Sequence, residues 1–158
     1  MYSTIISSEN LNNILNDKDI IIFDCRFDLM KKNLGYDKYL ESHICGAHYI
    51  NLELDLSSEV TNNSGRHPLQ TIKKFTDILN NFGINNNSQV VVYDDENSSM
   101  AARLWWMLRL VGIKKCAVLD GGFKSWTKNK FSVDNLIPKN KAKENIEYAY
   151  NNNYLIDT

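Results

Sequence analysis

Residues 93–110 read YDDENSSMAARLWWMLRL: three consecutive carboxylates (Asp94, Asp95, Glu96), a small polar turn (Asn97, Ser98, Ser99) and then a run of good helix formers. Two further aspartates, Asp24 and Asp120, close apolar runs of the same kind, so that IIIFD, VVVYD and AVLD each end in a carboxylate. Carboxylates carried by neighbouring strands to one edge of a sheet can hold Mg²⁺. A Mg²⁺-dependent phosphotransferase using Asp24, Asp94 and Asp120, with Asp94 and Asp95 as ligands or nucleophile, is the enzyme that spacing alone suggests. The simpler account is conformational: Asp caps turns and helix starts, and Asp120-Gly121-Gly122 is ordinary turn chemistry.

Cys25, Cys45 and Cys116 are the candidate nucleophiles. A reactive thiolate needs a helix N-terminus or a cationic neighbour. Cys116 lies inside an apolar run and reads as inert, and Cys25, although followed by Arg26, has no helix starting directly after it. His43, Cys45 and His48 are spaced as H-x-C-x-x-H, which can ligate a metal if a fourth ligand comes from elsewhere; a short turn is the plainer reading. His67, between Gly65-Arg66 and Pro68, is placed to orient or protonate a group at the sheet edge. Trp105, Trp106 and Trp126 read as core or interface anchors.

The elements that position these residues follow from periodicity. Gln89 to Tyr93 is short, β-branched and apolar, as a strand buried on both faces is. Met100 to Val111 is helical, with Asn97-Ser98-Ser99 as candidate caps and Gly112 as its stop. Upstream come a helix at Ser8–Leu15, a strand at Ile20–Phe23, a short helix at Tyr36–Ser42, a strand at Ala47–Ile50 and a long polar loop over 52–65. Thr71 to Phe82 places Ile72, Phe75, Ile78, Leu79 and Phe82 at helical spacing, with Thr71 as N-cap and Gly83 closing the C-terminus. A strand at Cys116–Leu119 and a helix through Trp126 complete an alternation that predicts a parallel sheet with helices on both faces. Ligands of such sheets bind outside the carboxyl ends of the strands, which is where the acidic loop falls.

The chain has 158 residues, 43% hydrophobic and 23% charged, enough for one domain with a real core. A net charge of -1 with scattered Lys and Arg favours neither nucleic acid nor an anionic membrane. No stretch approaches the roughly 18 apolar residues of a membrane span, the N-terminus lacks signal-peptide features, and three irregularly spaced cysteines make no disulfide framework. These features predict a cytoplasmic protein. After Lys128 the composition turns polar and basic, so residues 1–131 are expected to form the domain and 132–153 a linker or surface crossover. Glu144-Asn145-Ile146 followed by Tyr154-Leu155-Ile156-Asp157 echoes Glu9-Asn10-Leu11 followed by Ile22-Phe23-Asp24. The echo suggests a helix and then, at 154–158, the start of a second, truncated copy of the domain.

In order, IIIFDCR, ESHICGAHYIN, RHPLQTIKKFTDILNNFGI, VVVYDDENSSMAARLWWMLRLVGI and AVLDGGFKSW resemble a rhodanese domain, from about Ile20 to Trp126. They are most similar to the N-terminal, non-catalytic domain of two-domain thiosulfate and 3-mercaptopyruvate sulfurtransferases. The resemblance implies an open parallel five-stranded sheet with helices on both faces. It also implies sulfur transfer to a thiol or cyanide through a cysteine persulfide, with no metal or cofactor, the cysteine standing in a second rhodanese domain. Asp94 occupies the position that the family gives to that cysteine. A carboxylate cannot carry sulfane sulfur, and two like charges about 4 Å apart cost roughly 4 kcal/mol at an effective dielectric near 20, so this loop is expected not to bind thiosulfate. Asp95, Glu96 and the polar turn are then expected to cap the helix. In the mercaptopyruvate branch an acid and a histidine of the silent domain support a serine of the catalytic one. Glu53 matches the acid, with Asp55 as its competitor because the loop is slightly long, and His67 matches the histidine. Cys45 stands where the family usually has proline. Two alternatives remain open: a non-catalytic rhodanese-like binding module and the Mg²⁺ enzyme.

Overall fold

A computed structural model describes residues 1–95, 97–151 and 153. The strands are β1 (Ile5–Ile6), β2 (Ile20–Asp24), β3 (His43–Ile44), β4 (Ala47–Tyr49), β5 (Gln89–Tyr93), β6 (Cys116–Leu119) and β7 (Val133–Asp134). The helices are α1 (Ser8–Ile14), α2 (Leu34–Glu41), α3 (Ile72–Asn81), α4 (Ser99–Leu110) and α5 (Gly122–Lys128). Five strands form one parallel sheet in the order β1-β6-β5-β2-β4, and β3 pairs with β7 in a separate antiparallel ribbon.

Side-chain alternation along the strands feeds two cores. Ile21, Phe23, Val90, Val92, Cys116 and Val118 pack against Phe75 and Leu79 of α3 and Leu104, Met107 and Leu108 of α4. Ile22, Val91, Tyr93, Ala117 and Leu119 face the other way, onto Leu11 of α1 and Trp126 of α5. The anticipated caps of α3 are present: Thr71 Oγ1 accepts from the Lys74 N–H at 3.4 Å, and Gly83 takes the left-handed conformation, φ 71°.

Strand β1 was not legible because two residues are too few to show a period; it is recruited to the sheet edge by β6, with Ile5 opposite Val118. The chain runs from β2 outward to β4, crosses back to β5 on the other side of β2, and continues outward to β6. The direction therefore reverses between β2 and β5, which puts the crevice of the sheet between their carboxyl ends.

Residues 140–151 run along α3 without regular secondary structure. Asn80 holds this strap on both sides, its Nδ2 donating to the Ile146 carbonyl at 2.9 Å and its Oδ1 accepting the Ile146 N–H at 3.1 Å, while Tyr148 and Tyr150 pack on the core. The helix expected from the Glu144-Asn145-Ile146 echo does not form, because these residues spend their backbone groups on Asn80. Residues 154–158, the expected start of a second domain, lie outside the described residues. Among the described residues no helix is long and apolar enough to cross a membrane.

On the edge strand β4, the His48 ring packs on Phe82 and Phe23, with centroids 5.0 and 6.1 Å away. Burial pushes its pKa from 6.5 down to about 4, assisted by Lys141 and His43. A histidine with a depressed folded pKa stabilises the fold above its unfolded pKa, and that stability is lost as the pH falls from 6.5 through about 4. Urea unfolding of the native chain between pH 7.5 and 5 should show a loss of about 1–2 kcal/mol beyond that of His48→Gln, whose carboxylates titrate alike. Equal losses in the two proteins would contradict this account.

Candidate functional site

The three aspartates do not converge. Asp24 pairs in register with Tyr93, so both point to one face of the sheet and Asp94, one residue on, points to the other. Asp24 is fully buried and committed to Arg26, whose Nε donates at 2.9 and 3.0 Å and whose Nη2 donates at 2.6 Å; the Tyr93 hydroxyl donates at 2.7 Å. Burial raises the Asp24 pKa and Arg26 opposes it. The Arg26 guanidinium also lies 4.2 Å over the Phe123 ring and donates to the Ser42 carbonyl, so it ties β2 to α5 and to the end of α2. Asp120 is exposed. Among the described residues no three His, Cys, Asp or Glu side chains are grouped as a metal ion requires, and the Mg²⁺ reading loses its site.

Asp94 is 3% exposed and spends its whole carboxylate on the start of α4. Oδ1 accepts from the Ser98 N–H at 2.9 Å, and Oδ2 accepts from Met100 and Ala101 at 2.9 and 3.2 Å. These are N–H groups that a helix start leaves unsatisfied, in a place where the helix dipole favours negative charge. Asp94 shares the capping with the polar turn, where Asn97 Oδ1 accepts the Ser99 N–H at 3.0 Å, whereas Asp95 forms an exposed ion pair with Lys38 at 2.7 Å. Ser98, at φ 62°, holds the left-handed bend that turns the loop around the carboxylate. Glu96 lies outside the described residues. The loop backbone is gripped from behind by α5, where Phe123 and Lys124 donate to the carbonyls of Asp94 and Asp95 at 2.8 and 3.0 Å. A Cβ on Gly122 would stand 2.5 Å from the Asp94 carbonyl oxygen, so the Gly-Gly pair serves a close backbone approach as well as a turn. What remains open above the loop is a depression of about 90 Å³ between Arg26, Phe27, Asp95, Asn97 and Met100.

Burial disfavours the thiolate form of each cysteine. Burial, followed by the charges of Asp24 and Asp94, drives the Cys25 thiol well up, and burial raises Cys45 and Cys116 to about 11. His43 and His48 diverge: His43 is buried against Tyr39 and Asp134, and His48 faces Phe82.

The loop between β4 and α3 does bring Glu53 and His67 together. Glu53 Oε1 lies 3.6 Å from His67 Nε2, beyond hydrogen-bond reach, and that nitrogen is covered without a hydrogen-bond partner among the described residues. Lys32 holds Glu53 at 2.7 Å and draws its pKa below the usual range. Asp55, the competing acid, turns inward to accept the Asn51 N–H at 2.8 Å. Lys32, Lys38 and Arg103, all engaged with these loops, have no local signal in the sequence, since each partner lies about 20 to 60 residues away.

An open parallel sheet of this order, with a strand-loop-helix cradle at its crevice, defines an α/β domain of the rhodanese type. The rhodanese-like domain matches residues 7–129, and the chain belongs to that family. It is 37% identical over 124 residues to a probable 3-mercaptopyruvate sulfurtransferase of Pseudomonas aeruginosa, covering 77% of this chain and 44% of that protein. A 3-mercaptopyruvate sulfurtransferase from Leishmania major superposes with a TM-score of 0.81 at 26% identity, over 94% of this chain and 41% of that one. The Escherichia coli 3-mercaptopyruvate sulfotransferase shares the fold with a TM-score of 0.83 at 24% identity, over 98% of this chain and 58% of that one. This chain thus spans less than half the length of the Pseudomonas relative.

Removing the capping anion leaves three N–H groups without an acceptor. Asp94→Ala is expected to cost about 1–2 kcal/mol, a fall in melting temperature of roughly 2–8 °C for a chain of this size, and Asp94→Asn less. Calorimetry of the two variants checks this, and an unchanged melting temperature for Asp94→Ala would remove the cap from the account.

Proposed function

We propose that this chain is the non-catalytic half of a two-domain sulfurtransferase, acting beside a second rhodanese domain that carries the reactive cysteine. The full enzyme would move sulfane sulfur from thiosulfate or 3-mercaptopyruvate to a thiol or cyanide through a cysteine persulfide. The observation that carries this reading is the seating of Asp94. The N–H cradle that could stabilise a thiolate and an anionic donor is filled by a carboxylate of the chain itself. A carboxylate in that cradle carries no sulfane sulfur, and its charge opposes an anionic donor. The names of the relatives and the fraction of their length spanned by this chain support the same reading.

Under it, the chain contributes a wall. The Glu53–His67 pair sits on the loop leaving the carboxyl end of β4, and the covered Nε2 of His67 is a group in need of a partner. In the assembled enzyme Glu53 would close onto that nitrogen, holding the charge and orientation of the imidazole, and the other ring nitrogen, Nδ1, would meet a hydroxyl of the catalytic domain.

The purified 158-residue chain should show no sulfur transfer from thiosulfate to cyanide or from 3-mercaptopyruvate to a thiol. When it is joined to a rhodanese domain bearing a loop cysteine, activity should appear. Glu53→Gln or His67→Ala in that longer protein should lower kcat/KM with 3-mercaptopyruvate on the order of tenfold to a hundredfold. Turnover by the chain alone would sink the reading. If the chain's own gene supplied no second domain, the binding-module alternative would take its place.

A further inference from the structure

The Glu53 and His67 side chains stand on opposite arms of one long loop, and what sets their separation is not in the loop's own turns. The arms touch at the Ser57–Leu69 bridge and at the Ser58 N–H, which donates to the Pro68 carbonyl at 3.1 Å. From α4, Arg103 Nη2 donates to the Leu56 carbonyl at 3.0 Å, three residues past Glu53, and to the Pro68 carbonyl at 3.1 Å, one residue past His67. From the start of α3, the buried Gln70 donates to the Ser57 and Asp55 carbonyls at 2.7 and 3.3 Å. Gln70 is itself held from outside: its carbonyl accepts the Tyr150 hydroxyl at 2.6 Å, and the Tyr150 ring lies on Phe75 in the strap along α3.

We propose that Arg103 and Gln70 are positioning residues that set the Glu53–His67 geometry, and that Tyr150 links this geometry to the strap over residues 140–151. The proposal rests on the role given above to Glu53 and His67. Burial disfavours the charge of Arg103, and its Nε is covered with no acceptor among the described residues. A long cationic side chain ordinarily extends its head to water. Arg103 instead spends one nitrogen on two carbonyls of the same loop, so its attachment fixes the spacing of the arms at the cost of its own solvation. Through Tyr150, any displacement of the strap bears on Gln70 and from there on the Asp55–Ser57 turn beside Glu53.

The test uses the 158-residue chain first. Glu53→Gln should shift the His67 ring ¹⁵N resonances in the native background. The same substitution should shift them much less in Arg103→Gln and in Tyr150→Phe, the latter retaining the ring on Phe75. Amide exchange near Glu53 and His67 should accelerate about tenfold in both variants. An undiminished Glu53→Gln response in the two backgrounds would overturn the proposal; if Arg103→Gln fails to fold, Tyr150→Phe decides it alone. In the longer protein with its catalytic domain, Tyr150→Phe should lower kcat several-fold with KM for 3-mercaptopyruvate kept. Loss of the resonance coupling with kcat unchanged would leave the clamp standing and defeat the role assigned to Glu53 and His67.

Discussion

The in-register pairing of β2 with β5 decides most of what happens at the crevice. Because Asp24 lies opposite Tyr93, the two side chains share a face, and the next residues of each strand, Cys25 and Asp94, belong to the other. One face therefore receives the Asp24–Arg26–Tyr93 network, and the other receives Asp94 at the start of α4. A slip of one residue would exchange these roles and bury Asp94 without the N–H groups that hold it.

Each of the two buried carboxylates is satisfied by different means. Asp24 is neutralised by a guanidinium in bidentate contact, and breaking such a pair by removing one partner typically costs about 3–5 kcal/mol because the other charge is stranded. Asp94 makes no ion pair among the described residues; its stabilisation comes from oriented backbone dipoles, which cost no reorganisation and are shielded by α5 behind the loop. Backbone N–H groups converging in this way form a general anion-binding site. Here it serves the local fold, since the N–H groups at the start of α4 are taken by the Asp94 carboxylate.

The loop that carries Glu53 and His67 shows the complementary arrangement. Its own turns, centred on Asn51, which accepts from Glu53 and Leu54, shape the first arm. Its position relative to the sheet comes from α4, α3 and the strap, through Arg103, Gln70 and Tyr150. Residues 140–151 thus contribute to the domain's core, through Tyr148 and Tyr150.

Periodicity alone revealed the central strands, helices α3 and α4, the caps of α3, and the location of the acidic loop at a strand's carboxyl end. These are local properties: side-chain alternation, apolar spacing at 3.6 residues, and glycine or threonine at a helix terminus all act within about ten residues. The family resemblance gave Asp94 the position of the catalytic cysteine and matched Glu53 and His67 to a supporting acid and histidine. Only the tertiary structure decided which carboxylates meet. The three aspartates looked equivalent in sequence because each ends an apolar run, and strand register put Asp24 on one face and Asp94 on the other. It also chose Asp94 over Asp95 as the helix cap, Glu53 over Asp55 as the histidine's neighbour, and Asn80 as the reason that Glu144 to Ile146 form no helix. The physical reason is common to all of these. A short polar side chain is equally content with several partners, and the one it takes is set by backbone groups that arrive from distant parts of the chain.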